Sequence, residues 1–513
     1  MKRQRGILAS IGAAATALLL AFGGASAAQA APSSFPEAGA TGSINIHKFE
    51  QPDAVGGESN GLERDTSSLT AIPGVTFTAT PITGLDLTKN AGWQAASKLT
   101  LDAGTGKVTG KGTNGNPVQL GAPLAPQVTN AAGDATFADL PLGMYLVQET
   151  AAPAGVTKAA PFLVTVPLTD PEGLDSWIYD IHVYPKNSTV KATKTVADEG
   201  ATKVGDAIAW TITGDLPRIA TEDGSFAAPT GYRVVDALDP RLALAKTEVK
   251  LTSGPALVEG TDFTVTDNAN TVTVDFLAPG LAKLGTAASD PAAKLQIVLT
   301  TTVISLEDGT VGDGKIKNTA VVFPNAESFD VKPGEPGGPV VTPEVESRWG
   351  DILINKVSTK DAGTKLAGAK FQVFTSAEAA KQAGTAAAKP VVINGEDTFT
   401  TLADGTVRIS GLHVSDFVNG TEIKSEDNYR YYWIVEVEAP KDYELLAEPI
   451  RTTVTAGGTA VQSLTVENAP KNAGFELPLT GAAGTWMFTI AGLIVIGGGI
   501  ALMLRRKKAE RAA

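Results

Sequence analysis

A lysine falls on the apolar face of a strand in three separate parts of this 513-residue chain. Thr41-Gly42-Ser43-Ile44-Asn45-Ile46-His47-Lys48 alternates, so Ile44, Ile46 and Lys48 project to one side. Val190, Ala192, Lys194 and Val196 repeat the pattern, as do Ile352, Ile354 and Lys356. Lysine is almost never buried unpaired, and a lone buried ammonium costs on the order of several kcal/mol. Any fold that accepts these strands must therefore neutralise three internal amines. Each of these stretches also carries an asparagine at or near the end of its last strand. Asn187 closes Trp177-Ile178-Tyr179-Asp180-Ile181-His182-Val183-Tyr184-Pro185-Lys186-Asn187; Asn318 shares a face with Ile316, Ala320 and Val322; Asn468 shares one with Leu464 and Val466.

The first and third stretches add an acidic strand followed closely by Ala-Pro. Tyr145 to Glu149 precedes Ala152-Pro153, and Tyr432 to Glu436 precedes Ala439-Pro440. These residue types make a reactive set. Desolvation lowers a lysine pKa and leaves a neutral amine, which is a nucleophile. An asparagine carboxamide is an electrophile, and a buried carboxyl can shuttle protons to the departing ammonia. The product is a neutral amide, which removes the buried charge.

Repetition of this order, with no short repeat period, argues for three modules. The reading places a first module at 31–187 and a second at 188–343, which ends in a linker over Lys332–Pro343 with four prolines and three glycines. A third module spans 344–470. Many short strands with turn signals, 54 Gly and 30 Pro argue for immunoglobulin-like β-sandwiches. The chain contains no Cys, so a secreted form would be stabilised by something other than disulfides.

Both ends carry targeting signals. Residues 1–30 have a basic start (Lys2, Arg3, Arg5), an apolar run and the small-residue site Ala28-Gln29-Ala30, so they read as an export signal. Near the other end, residues 471–481 contain Leu477-Pro478-Leu479-Thr480-Gly481. Pro478 biases Leu477 toward extended geometry, which suits a peptide lying in an enzyme groove. The apolar run 482–504 is long enough for a transmembrane helix, and 505–513 opens with Arg505, Arg506, Lys507 and Lys508 as a basic cytoplasmic stop. The fold class is therefore all-β, three tandem sandwiches, with one C-terminal transmembrane helix.

Composition excludes several roles. A formal net charge of -13 argues against a nucleic-acid partner, because phosphate binding needs a basic face. His47, His182 and His413 are scattered without metal spacing. No nucleotide loop, nucleophile elbow or zinc motif is present, so the reading calls for no cofactor and no metal, and for no enzyme.

The order of pentapeptide, span and basic tail resembles the cell-wall sorting signal of Gram-positive surface proteins. In that family a sortase cleaves between Thr and Gly, here Thr480 and Gly481, and joins the Thr carbonyl to an amine. The three-module arrangement resembles the Gram-positive pilin shaft subunits, which are built of Cna-like sandwich domains with self-formed Lys–Asn isopeptide bonds. Tyr145 to Pro153 matches the family's E-box, Tyr-x-Leu-x-Glu-Thr-x-Ala-Pro, and supplies Glu149; Tyr432 to Pro440 matches loosely, with Val437 where Thr is usual, and supplies Glu436. The resemblance implies the triads Lys48–Asn187 with Glu149, Lys194–Asn318 with Asp236, and Lys356–Asn468 with Glu436. Asp236 is taken from the family's habit of placing such an Asp in an early strand of this domain type.

Trp177 to Lys186 resembles the pilin motif W-x-x-x-V-x-V-Y-P-K, with Ile181 for the first Val. Strand alternation sets Lys186 on the face opposite Asn187, pointing outward. The resemblance implies that the Lys186 amine of one subunit resolves the Thr480 acyl-enzyme of another on a pilus-specific sortase. Identical subunits would then form a head-to-tail covalent fibre joined to peptidoglycan, with minor tip or base pilins as further partners, supporting adhesion. A monomeric wall-anchored adhesin that binds host matrix is the alternative. Lys186 separates the two, because such an adhesin needs no acceptor lysine.

Overall fold

The structure is a computed structural model; it describes residues 35–471 except 53–58, 172–175, 222, 307, 308, 310 and 457–460. The export signal, the pentapeptide Leu477–Gly481, the apolar run and the basic tail lie outside the described residues. Among the described residues no helix is long and apolar enough to cross a membrane. The chain divides into two compact units. Among the described residues, one comprises those from 35 to 306 with 315–348 and 417–422; the other comprises 309, 311–314, 349–416 and those from 423 to 471.

The first unit opens with a sandwich. One sheet orders the strands Asp180–Val183, Thr41–His47 and Asp134–Pro141; the other runs Phe162–Val166, Gly143–Ala151, Thr76–Thr83 and Gln119–Leu120. Alternation turns Ile44 and Ile46 inward to meet Phe77, Val147 and Ile181, all fully buried. A side cluster of Leu87, Leu99, Val118 and Met144 packs beneath the short helix Asn90–Ala96.

A second sandwich in the same unit orders Ala192–Ala197, Ala207–Asp215, Lys294–Val303 and Leu242–Leu251 in one sheet. Its other sheet runs Phe263–Asn268, Thr271–Phe276, Arg233–Ala237, Val321–Phe323 and Val340–Val341. Trp210, Ile212, Tyr232, Val234 and Leu299 fill the space between. The last of these strands lies within Lys332–Pro343, where composition indicates a linker. The two β-branched residues Val340 and Val341 pair with Val322 and Val321 and extend the sheet.

The second unit has one sandwich. The strand Val345–Ser358 gives its first four residues to the first unit and the rest to this one. Here it pairs antiparallel with Thr406–His413 and parallel with Gln462–Asn468. The facing sheet orders Phe399–Thr400, Lys370–Phe374, Tyr432–Glu438 and Ile450–Thr452. Ile352, Ile354, Phe371, Val373 and Ile434 form its core.

Candidate functional site

All three lysines of the sequence pattern are buried: Lys48 and Lys356 are 0% exposed and Lys194 is 4% exposed. In each case a carboxyl reaches the amine from the opposite sheet.

In the first sandwich Lys48 follows the Thr41–His47 strand and Glu149 rides on Gly143–Ala151. Lys48 Nζ lies 2.8 Å from Glu149 Oε1 and donates to Asn187 Oδ1 at 2.5 Å. Asn187 Nδ2 donates to Glu149 Oε2 at 2.7 Å, and the Ala159 N–H donates to the same oxygen at 3.0 Å. Asn187 reaches this point because Lys186–Thr189 pairs in parallel with Phe49–Glu50, the strand just beyond Lys48. Burial pulls the Lys48 ammonium down to about 8 against the opposing attraction of Glu149.

In the second unit the parallel register sets Lys356 opposite Val466 and Ser358 opposite Asn468. Lys356 Nζ donates to Asn468 Oδ1 and to Val466 O, the latter at 3.2 Å. Glu436 Oε1 is 3.6 Å from the amine. Asn468 Nδ2 donates to both Glu436 oxygens, at 3.0 and 2.8 Å, and to Glu444 O at 2.8 Å. Leu446 N donates to Glu436 Oε2 at 2.8 Å, matching the Ala159 contact of the first sandwich. Burial again holds the amine below the ordinary lysine range.

The middle sandwich has the same parts in another arrangement. Lys194 Nζ donates to Asp236 Oδ2, and to Thr319 O at 3.2 Å. Its ammonium sits 5.8 Å from the centre of the Trp210 ring. Burial lowers Lys194 to about 8 and pushes the Asp236 carboxyl up, while Lys194 and then Asn318 pull the latter back. Asn318 is 3% exposed, and its amide lies beside Asp236 rather than in a well-formed bond to the lysine.

Two glycines close these sites from behind. Gly133 and Gly405 adopt φ of +82° and +75°, and a Cβ there would meet the backbone oxygen of Lys48 at 2.4 Å and of Lys356 at 2.7 Å. Their own carbonyls accept from the Lys48 and Lys356 N–H groups, each at 2.8 Å. The tight turns thus fix the backbone of the lysine from which each amine projects. Sequence reading did not single out either glycine; the signal was a Gly beside Asp just before a strand, Gly133-Asp134 and Asp404-Gly405.

Lys186 faces away from Asn187 and is half-buried. Burial, and next the charge of Arg64, hold its ammonium below the ordinary range. Trp177, at the head of the same motif, stacks on Trp93 of the short helix at 5.1 Å. His47 and His182, scattered in sequence, meet at 2.9 Å because their strands pair in parallel, and Asp134 takes the other nitrogen of His47 at 2.7 Å. Among the described residues no group of three or more His, Cys, Asp or Glu is arranged to hold a metal.

The architecture has known counterparts. Residues 39–188 match the Gram-positive pilin subunit D1, N-terminal domain, 189–327 the Sgo0707 N2 domain, and 350–470 the prealbumin-like fold domain. Residues 469–511 match the LPXTG cell wall anchor motif. The chain is 34% identical to fimbrial subunit type 1 of Actinomyces viscosus, over 99% of this chain and 98% of that one. This chain is a Gram-positive fimbrial subunit. Fimbrial subunit type 2 of Actinomyces naeslundii is likewise 34% identical, across 92% and 91% of the two chains. The full-length major pilin SpaD of Corynebacterium diphtheriae superposes with a TM-score of 0.63 at 28% identity, over 85% of this chain and 98% of that one. The pilin is thus the major structural subunit of a wall-anchored fibre on the cell surface, in a family whose role is structural.

Proposed function

We propose that the pilin closes three amide cross-links within itself and offers a fourth amine, Lys186, to its neighbour in the fibre. The contacts around Asn468 carry the first part. Glu436 holds Nδ2, the nitrogen that must leave, with both carboxyl oxygens, while Lys356 Nζ contacts the Oδ1 of the same amide. Attack of Nζ on Cγ forms the new C–N bond. A proton passes from the amine through the carboxyl to Nδ2, the old C–N bond breaks, and one ammonia departs. Glu149 serves Lys48 and Asn187 in the same way, and Asp236 serves Lys194 and Asn318. Each chain reacts once at each site, so the chemistry is self-modification and the pilin is not an enzyme.

For polymerisation, a pilus-specific sortase attacks the Thr480 carbonyl and releases Gly481. The Lys186 amine of another subunit then displaces the enzyme. Each subunit brings one acyl donor and one amine, so joining is head-to-tail and open-ended. Minor tip or base pilins and peptidoglycan join through the same acyl chemistry. The test is a Lys186→Ala variant in the native host. Loss of high-mass ladders from wall extracts on denaturing gels, with an unchanged melting temperature, is the expected result. Ladders that persist would assign the acceptor to another amine.

A further inference from the structure

The segment Ser59–Arg64 runs beside the pilin motif and is tied to it at four points. Ser59 Oγ donates to His182 O at 3.0 Å, and His182 N donates to Gly61 O at 2.9 Å. Arg64 N donates to Tyr184 Oη at 2.7 Å, and Tyr184 Oη donates to Leu62 O at 3.4 Å. The Arg64 guanidinium lies 5.7 Å from the centre of the Tyr184 ring, whose neighbour is His47, stacked at 4.9 Å. Tyr184 and Lys186 stand two residues apart in an extended stretch, so both side chains project to the same side.

Arg64 is the charge of this segment that acts on the amine of Lys186. The Lys48 ammonium adds its repulsion only until the cross-link to Asn187 removes that charge. Glu63 acts on His182 and Tyr184 instead, and Glu50, beside Asn187 in the ladder, is 3.3 Å from Lys191. Among the described residues Lys186 Nζ has no hydrogen bond and no ion pair.

We propose that Arg64 is a positioning residue for the acceptor amine: seated on Tyr184, it competes with Lys186 for any nearby carboxylate and leaves the amine open to an acyl donor. This rests on Lys186 being the acceptor. An amine in an ion pair is both charged and occupied, and must shed its partner before attacking. A like charge beside it disfavours the ammonium and draws carboxylates to itself.

The experiment uses the soluble secreted protein and an amine-reactive acylating reagent, with peptide mapping to read Lys186 alone across a pH series. R64E should move the half-maximal labelling of Lys186 to higher pH and slow it about twofold or more at pH 8. R64K should retain the wild-type profile, since it keeps the charge. In the host, R64E should give weak ladders while melting at the wild-type temperature. Unchanged labelling profiles for R64E would overturn the inference. So would a loss of ladders explained wholly by a lower melting temperature. K186A separates the two layers: ladders that persist in K186A refute the acceptor assignment, whereas ladders lost in K186A with R64E behaving as wild type refute only the role of Arg64.

Discussion

Replacing Lys356 by Met removes the nucleophile of the C-terminal sandwich and keeps most of its volume. The size of the effect follows from the chain topology. Lys356 and Asn468 are 112 residues apart, and a bond between them confines that loop in the unfolded chain. Loop-closure entropy for a cross-link of that span is worth about 5 kcal/mol at 25 °C. A module of about 120 residues unfolds with an entropy near 0.25 kcal/mol/K, so the loss maps to a fall of about 20 °C in its transition. Methionine leaves no buried ammonium, and Glu436 keeps its hydrogen bonds from Asn468 Nδ2 and Leu446 N, which limits the added cost of losing its partner. Scanning calorimetry of the soluble protein reads the transition. Intact mass reads the bond, because each cross-link expels one ammonia of about 17 Da. The deficit against the sequence should fall from about 51 Da to about 34 Da in K356M. A transition within a few degrees of wild type, or an unchanged mass deficit, would refute the assignment.

Three further outcomes follow from the same geometry. Asp236→Ala should remove one ammonia loss, because Lys194 and Asn318 then lack the carboxyl between them; intact mass decides. Glu149→Gln keeps a polar group beside Asn187 Nδ2 but cannot supply an acid proton, so the Lys48–Asn187 cross-link should be absent from its peptide map. Bond formation should also depend on pH in a particular sense. Attack needs a neutral amine with the proton on the carboxyl, which is an internal rearrangement of a pair holding one proton. Lys48 and Lys194 lose that proton near pH 8. Ammonia release from freshly folded protein should therefore hold steady through neutral pH and fall above about 8. A rate that climbs steadily through pH 9 would show that the carboxyl is not the proton source.

Much of this was legible in the sequence because strand periodicity reports facing directly. Lys48, Lys194 and Lys356 alternate with isoleucines, valines and alanines, and that pattern has no comfortable reading on a surface. Glu149 and Glu436 were marked by the strand that carries them. Asp236 was assigned from family resemblance, although strand alternation also sets it on one face with Tyr232, Val234 and Leu238, all of them buried. Non-local pairing hid the rest. His47 and His182 meet only because two strands 135 residues apart lie in parallel. Val340–Val341 pairs with Val321–Phe323 although prolines and glycines surround it, because a two-residue strand is too short to show a period. The role of Arg64 could not be read at all, since it depends on a backbone path that returns to Tyr184 across 120 residues.

Tandem mass spectrometry of proteolysed wall-extracted fibres examines inward and outward lysines together. Four branched peptides are predicted: Lys48 with Asn187, Lys194 with Asn318 and Lys356 with Asn468, each within one chain, and Lys186 with Thr480 between chains. Linear, unmodified peptides covering Lys48, Lys194, Lys356 and Lys186 in the same digest would contradict the account.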